Sequence, residues 1–248
     1  MTNKYLSYDE ERAPHVRKLF TRVAWRYDLV NDVMSFGMHR RWKRQTVRLA
    51  LSGPGLPQSP RVLDLCCGSG DLCFLAEDMG AGSVVGADFT LPMLAVARRR
   101  RNEGRHRTRF VQADALRLPF PDGAFDVITI GYGLRNVADI PAALSEMRRV
   151  LAQGGRAVVL DFGKPDRPVP AALYRAYLGT VMPAMGWIFH GDADTYAYIP
   201  ASLERYPAQR GVEALMRQAG FGRVRYEERL LGTMGINIGE ISPSSRGA

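Results

Sequence analysis

RVLDLCCGSGDL, residues 61–72, is an apolar run of strand length that meets a glycine-rich turn and passes into a helical segment. Gly68 and Gly70 let the backbone approach a ligand closely, as the first turn of a doubly wound sheet does. Asp64 stands at the strand end and Asp71 directly after the turn. Two carboxylates would repel a pyrophosphate, and Cys73 occupies the place of the third glycine in a dinucleotide fingerprint. A ligand with positive charge is preferred, and S-adenosylmethionine has an ammonium, a sulfonium and no phosphate.

Further along, SVVGADF ends a second predicted strand in Asp88, at the distance from Gly68 where an acid meets the two ribose hydroxyls of a bound adenosine. A third strand within RFVQADALRLPFP ends at Asp114-Ala115. There a carboxylate can accept from an adenine amino group and a backbone amide can reach a ring nitrogen. Any one of these acids taken singly reads more readily as a helix cap or turn residue. Jointly and in this order they line one crevice. FDVITI and RAVVLDF continue the alternation of short apolar runs with helical segments, which predicts a parallel sheet covered by helices.

Asp139 and Pro141 can start a helix with an apolar face of Leu144, Met147, Val150 and Leu151, and Gly154-Gly155 is expected to end it. The run 171–189, AALYRAYLGTVMPAMGWIF, reads as a lid interrupted by Gly179, Pro183 and Gly186, with a prenyl-tail wall or a membrane foot as its functional reading. VEALMRQAGF reads as a helix ending at Gly220. VRYEERLLG and MGINIGE read as two late strands that can pair antiparallel.

At 248 residues, 46% hydrophobic and 24% charged, the chain suits one α/β domain with a modest extension. Residues 1–55 read as an N-terminal helical cap, with Val16, Leu19, Phe20 and Val23 and later Trp42, Val47, Leu49 and Ala50 at helical spacing. GPGLPQSP, at 53–60, links it to a core over 56–241, and 242–248 is expected to be a disordered tail. No apolar stretch suffices for a membrane span, and the N-terminus sets acidic residues and Pro14 where a secretion signal needs an apolar segment, so a cytoplasmic location is expected. Cys66, Cys67 and Cys73 fit no common zinc spacing and read as small interior residues. The net charge of +9 suits nucleic acid or an anionic membrane surface equally. Its densest cluster, Arg98 to Arg101 with Arg105, Arg107 and Arg109, closes a predicted helix and reads as a solvated helix end. No nucleic-acid motif accompanies it.

DLCCGSGD, ADF, DALRLPFPDGAFD and RVLAQGGRAVVLDFGKP resemble the successive motifs of class I S-adenosylmethionine-dependent methyltransferases. YDLVNDVMSFGMHRRWKR, GYGLRNVAD and YAYIPASLERYP narrow the resemblance to the ubiquinone/menaquinone biosynthesis C-methyltransferase family, from about Val16 to Glu240. In this chain Ser69 replaces a threonine, Gly131 a serine, and Asp161-Phe162-Gly163 the usual Glu-Phe-Ser. The resemblance implies a Rossmann-like α/β fold: a mostly parallel seven-stranded sheet, helices on both faces, and an N-terminal helical cap. It further implies cofactor contacts from Asp64, Gly68, Ser69, Gly70, Asp88, Phe89, Asp114, Ala115 and Gly131.

The activity implied is C-methylation of a demethylated prenyl quinol, demethylmenaquinol first and a ubiquinone-pathway benzoquinol second. Arg135 and Asn136, in a loop after a predicted central strand with no evident packing duty, are the preferred substrate residues. His39 reads equally as a packed helix histidine or a substrate contact. His39, Asp161 and His190 are candidate bases. Expected partners are the lipid-soluble quinol and, peripherally, the inner face of an anionic membrane; a homodimer is admissible and nucleic acid is not expected. The rivals are a nucleotide-dependent oxidoreductase, which needs the phosphate-compatible turn missing here, and a basic nucleic-acid-binding module.

Overall fold

The computed structural model describes residues 32–33, 35–53, 55–190 and 194–242. The helical reading of Val16 to Val23 and most of the expected tail lie outside them. Seven strands, β1 (Arg61–Leu65), β2 (Ser83–Asp88), β3 (Arg109–Gln112), β4 (Phe125–Gly131), β5 (Leu151–Phe162), β6 (Arg223–Arg229) and β7 (Met234–Glu240), make one sheet. Their order is β3-β2-β1-β4-β5-β7-β6. β1 pairs parallel with β2 and β4, and β7 pairs antiparallel with β5 and β6. The chain order therefore reverses between β1 and β4, which opens a crevice beyond the carboxyl ends of the strands.

Burial on both faces explains why the central strands read as near-continuous apolar runs. Leu63, Leu65, Ala157 and Val159 face one core, and Val62, Val127, Val158 and Leu160 face the other. The second core is covered by α1 (Met38–Leu51), α2 (Asp71–Asp78) and α3 (Leu91–Gly104) through Trp42, Val47, Phe74, Leu94 and Ala97. Helices α4 (Ile140–Val150), α5 (Pro168–His190), α6 (Asp194–Arg205) and α7 (Ala208–Gln218) cover the first. Arg156 ties the end of α1 to the sheet, donating to the Leu49 carbonyl at 2.9 Å and to Glu240 at 2.7 Å.

Two sequence expectations change. Helix α4 starts as predicted, Asp139 accepting from the Ala142 amide at 2.9 Å, but it ends at Val150 and not at Gly154-Gly155. Buried Leu151 already pairs with Phe125, and the glycines lie in an irregular stretch of β5, where the register shifts and Gly154 takes φ 75°. The second change is that α5 runs unbroken past Gly179 and Pro183. Pro183 sits inside the helix, with Leu178 and Met182 before it held in the core. Among the described residues no helix is long and apolar enough to cross a membrane.

Candidate functional site

The turn after β1 is built from positive-φ backbone: Cys66 at 54°, Gly68 at 53° and Gly70 at 91°. Asp88, at the end of β2, holds it from the neighbouring strand, one carboxylate oxygen accepting from the Gly68 amide at 2.9 Å and the other from Thr90 at 2.8 Å. Burial pushes the Asp88 carboxyl up, and these amides oppose the shift. Gly70 caps α2, and a side chain there would meet the Phe74 ring at 2.9 Å. Its duty is packing, and it lines none of the cavities described below.

The electrostatics of this turn differ from the reading of two bare carboxylates. Asp64 is 1% exposed and accepts from the Thr129 hydroxyl at 2.7 Å and the Cys73 thiol at 3.4 Å. Burial pushes its carboxyl up to about 7 against those donors. Asp71 is pushed up by burial but pulled down further by Lys43 and Arg100, to about 2. Lys43 Nζ lies 2.5 Å and Arg100 2.7 Å from its oxygens. Arg100 also donates to the Ser69 carbonyl at 3.0 Å, so one member of the arginine cluster clamps the turn. Arg98 and Arg99 are exposed, as expected of a solvated helix end.

Three cavities meet above the sheet. The first, of about 110 Å³, holds Gly68, Asp88, Phe89, Asp114, Ala115 and Asn136 in its walls. The second, a slot of about 30 Å³ between the turn and α1, is lined by Lys43, Asp64, Ser69, Asp71 and Gly131. The third, of about 350 Å³, is walled by His39, Trp42, Arg135, Tyr174 and Met182, with Phe36, Leu173, Leu230 and Leu231 also lining it. Tyr132 lines all three. It follows Gly131 at the end of β4 with φ 59°, its amide donating to the Leu160 carbonyl at 2.7 Å. The sequence reading overlooked this tyrosine; its place between a central strand and Arg135-Asn136 was the available signal.

Arg135 and Asn136 diverge, the first into the large cavity and the second into the first crevice, although both donate to the Tyr132 carbonyl, at 2.7 and 3.4 Å. Arg135 also has a packing duty that the sequence did not reveal. Only 3% exposed, it pairs with Asp161 at 2.8 Å, gives its backbone amide to the same carboxylate at 3.1 Å, and lies 4.7 Å over the Phe162 ring. His39 bonds Ser35 Oγ at 3.1 Å and approaches Asp32 at 3.3 Å. Burial, then the nearby Lys43 charge, pushes it down to about 4, so it is neutral at pH 7. The His190 side chain lies outside the described residues.

The donor set of the first crevice fits an adenosine. Asp88 accepts from the Gly68 and Thr90 amides, with the Thr90 hydroxyl and the Phe89 amide also stabilising its carboxylate. It lines the crevice as an acceptor for hydroxyl donors, while Met93, Leu116 and Val137 supply apolar walls for a flat ring. A doubly wound sheet of this strand order, with an acid closing β2 beside a glycine turn, is the arrangement of the class I methyltransferases, the class whose methyl donor is S-adenosylmethionine. Solved structures share the fold: magnesium protoporphyrin IX methyltransferase of Synechocystis PCC 6803 with TM-score 0.65 at 17% identity, over 93% of this chain and 100% of that one. An S-adenosylmethionine-dependent methyltransferase of Thermotoga maritima matches with TM-score 0.62 at 19% identity, over 90% and 98%.

The chain belongs to the ubiE/COQ5 methyltransferase family, whose sequence profile matches residues 6–240. Demethylmenaquinone methyltransferase of Thermus thermophilus is 46% identical over 224 residues, 90% of this chain and 99% of the relative. Ubiquinone/menaquinone biosynthesis C-methyltransferase UbiE of Ectopseudomonas mendocina is 43% identical over 235 residues, 93% and 90%.

Proposed function

We propose that the chain methylates a ring carbon of a demethylated prenyl quinol, demethylmenaquinol before a benzoquinol. The observation that carries this reading is the junction at Tyr132, where a crevice suited to adenosine meets a large apolar cavity containing one buried arginine. The names of the Thermus and Ectopseudomonas relatives point to the same chemistry. S-adenosylmethionine supplies an electrophilic methyl group; this chain's residues orient the acceptor toward it and exclude water. Asp88 takes the ribose hydroxyls, Asp114 and Ala115 the adenine edge, and Phe89, Gly68 and Gly131 shape the walls between them, with Ser69 lining the adjoining slot. Asp64 lines the adjoining slot and ties β1 to β4 by accepting from the Thr129 hydroxyl.

The acceptor carbon must be nucleophilic. A quinol ring is electron-rich and gains further nucleophilicity when a hydroxyl beside the carbon loses its proton, while an oxidised quinone ring is electron-poor. A phenol has a pKa of roughly 10, so the phenolate needs a cation or hydrogen-bond donor. Arg135 provides it, moderated by Asp161. His39, neutral at pH 7, acts as a hydrogen-bonding wall and is too weak a base to take a phenolic proton unaided. Asp161 is engaged by Arg135, so the phenolic proton and the ring hydrogen displaced by the methyl group pass to solvent water. A methylation assay on a short-chain demethylmenaquinone, with and without dithionite, tests the reading. Product forms only with reductant; full turnover of the oxidised quinone would overturn the mechanism.

A lipid-soluble acceptor also calls for contact with the bilayer that holds it. Phe36, Leu173 and Leu231, which line the large cavity, are 83%, 68% and 70% exposed, and the net charge is +9. The protein should therefore co-sediment with anionic vesicles, and less so as salt is raised. Absence of binding at low salt would remove the membrane from this account.

A further inference from the structure

Lys43 comes from helix α1, outside the strand-turn-helix unit that forms the adenosine crevice, yet it is only 7% exposed and lines the slot beside Ser69 and Asp71. Lysine is almost never buried to this degree unless it is paired. Its pairing here is shared, because the single carboxylate of Asp71 faces both Lys43 and Arg100. An ammonium has three donors, and the one hydrogen bond from Lys43 Nζ among the described residues goes to Asp71. The Tyr132 ring lies beyond it, 5.8 Å from Nζ to centroid. Lys43 and Arg100 outnumber Asp71 by one charge, and burial pushes Asp64, the other acid lining the slot, toward its neutral form. A desolvated cation with donors to spare therefore faces the slot and suits a single anionic group.

The position of the slot specifies the anion. Cys66, Gly68, Gly131 and Tyr132 line both it and the adenosine crevice, so the two spaces adjoin along the end of β1 and β4. With the nucleoside placed by Asp88 and Asp114, the amino-acid end of the methyl donor is the part that reaches the slot. We propose that Lys43 binds the α-carboxylate of S-adenosylmethionine, making the N-terminal helix part of the cofactor site and coupling cofactor binding to the wall that α1 forms for the acceptor. His39 and Trp42, on the same helix, line the large cavity.

The inference rests on S-adenosylmethionine being the methyl donor, and calorimetry on the full chain separates the two claims. S-adenosylhomocysteine carries the carboxylate; 5′-methylthioadenosine keeps the adenosine and the thioether but lacks it. Loss of a charge-assisted hydrogen bond makes Lys43→Met bind S-adenosylhomocysteine about 10–100-fold more weakly. Affinity for 5′-methylthioadenosine stays within about twofold, and Lys43→Arg keeps most of the preference. An equal loss for both ligands would assign Lys43 to support of the turn and overturn the proposal, as would unchanged binding of S-adenosylhomocysteine. Failure of the parent chain to bind either ligand would instead sink the methyltransferase reading. Should Lys43→Met not fold, the Lys43→Met/Asp71→Asn pair removes both charges together, and the same ligand ratio decides.

Discussion

Asp88→Ala binds S-adenosylhomocysteine at least about 100-fold more weakly than the parent chain. Hydrogen bonds to a charged acceptor contribute about 1.5–3 kcal/mol each, and two ribose hydroxyls lose theirs together. The carboxylate also organises the turn, since Gly68 and Thr90 donate to its two oxygens at 2.9 and 2.8 Å. Alanine leaves both amides without that acceptor, at a further cost of about 1–3 kcal/mol each in stability. Asp88→Asn separates the effects. Its amide oxygen keeps one acceptor for the turn, so it unfolds closer to the parent temperature, while the loss of charge still weakens the ribose contacts. Calorimetry with S-adenosylhomocysteine, paired with thermal unfolding of both variants, makes the measurement. Unchanged affinity in a folded variant takes Asp88 out of the site.

Asp88 was legible in the sequence because everything that places it is local. A short apolar strand ends in an acid, the glycine turn precedes it by one crossover, and the parallel pairing of β1 with β2 brings the two side by side. Asp114-Ala115 lies one strand further out but two residues past the end of β3, which stops at Gln112, and the Asp114 carboxylate accepts from the Leu116 amide of its own turn at 2.9 Å. The antiparallel pair β6 and β7 was readable as two late strands able to pair antiparallel. Failures began where a side chain's role depends on a partner far along the chain. Two acids around the turn read as repulsive to phosphate, but Lys43, twenty-eight residues before Asp71, neutralises one, and burial pushes the other toward its protonated form. Charge counted along a sequence omits desolvation and pairing, and here they decide the local field.

Tyr132 shows the same limit from another side. Nothing in GYGLRN says that the tyrosine will sit where three cavities meet; that follows from α1 packing over the end of β4 while α5 and α6 close the far side. The helix boundaries mistaken at Gly154 and across Pro183 have a related cause. Glycine and proline weaken local structure by an amount that tertiary pairing outweighs, β4 holding Leu151 in one case and core contacts holding Leu178 and Met182 on α5 in the other.

Arg135→Ala has the second large effect, and it acts on stability and catalysis together. Arg135 and Asp161 are 3% and 2% exposed and joined at 2.8 Å, with Asp161 also accepting backbone amides from Arg135 and Phe162. Removing one partner of a buried pair leaves an uncompensated charge and costs about 3–5 kcal/mol, which for a chain of this size lowers Tm by roughly 6–20 °C. A slow Arg135→Ala enzyme alone would therefore not identify a catalytic duty. Arg135→Ala/Asp161→Asn removes both charges and recovers much of the stability. If Arg135 stabilises the developing phenolate, the double variant still loses about 100-fold in kcat, as removal of a donor to developing negative charge does. Its affinity for S-adenosylhomocysteine stays near the parent value, because Arg135 lines the acceptor cavity and not the adenosine crevice. Arg135→Lys restores a charge without the planar guanidinium that lies over the Phe162 ring, so it recovers kcat only in part. The assay is single-turnover methylation of reduced short-chain demethylmenaquinone at saturating cofactor, alongside thermal unfolding of all four proteins. A folded double variant with parental kcat would leave Arg135 the structural anchor of the Tyr132 turn and move the charge that faces the phenolate to another wall of the cavity.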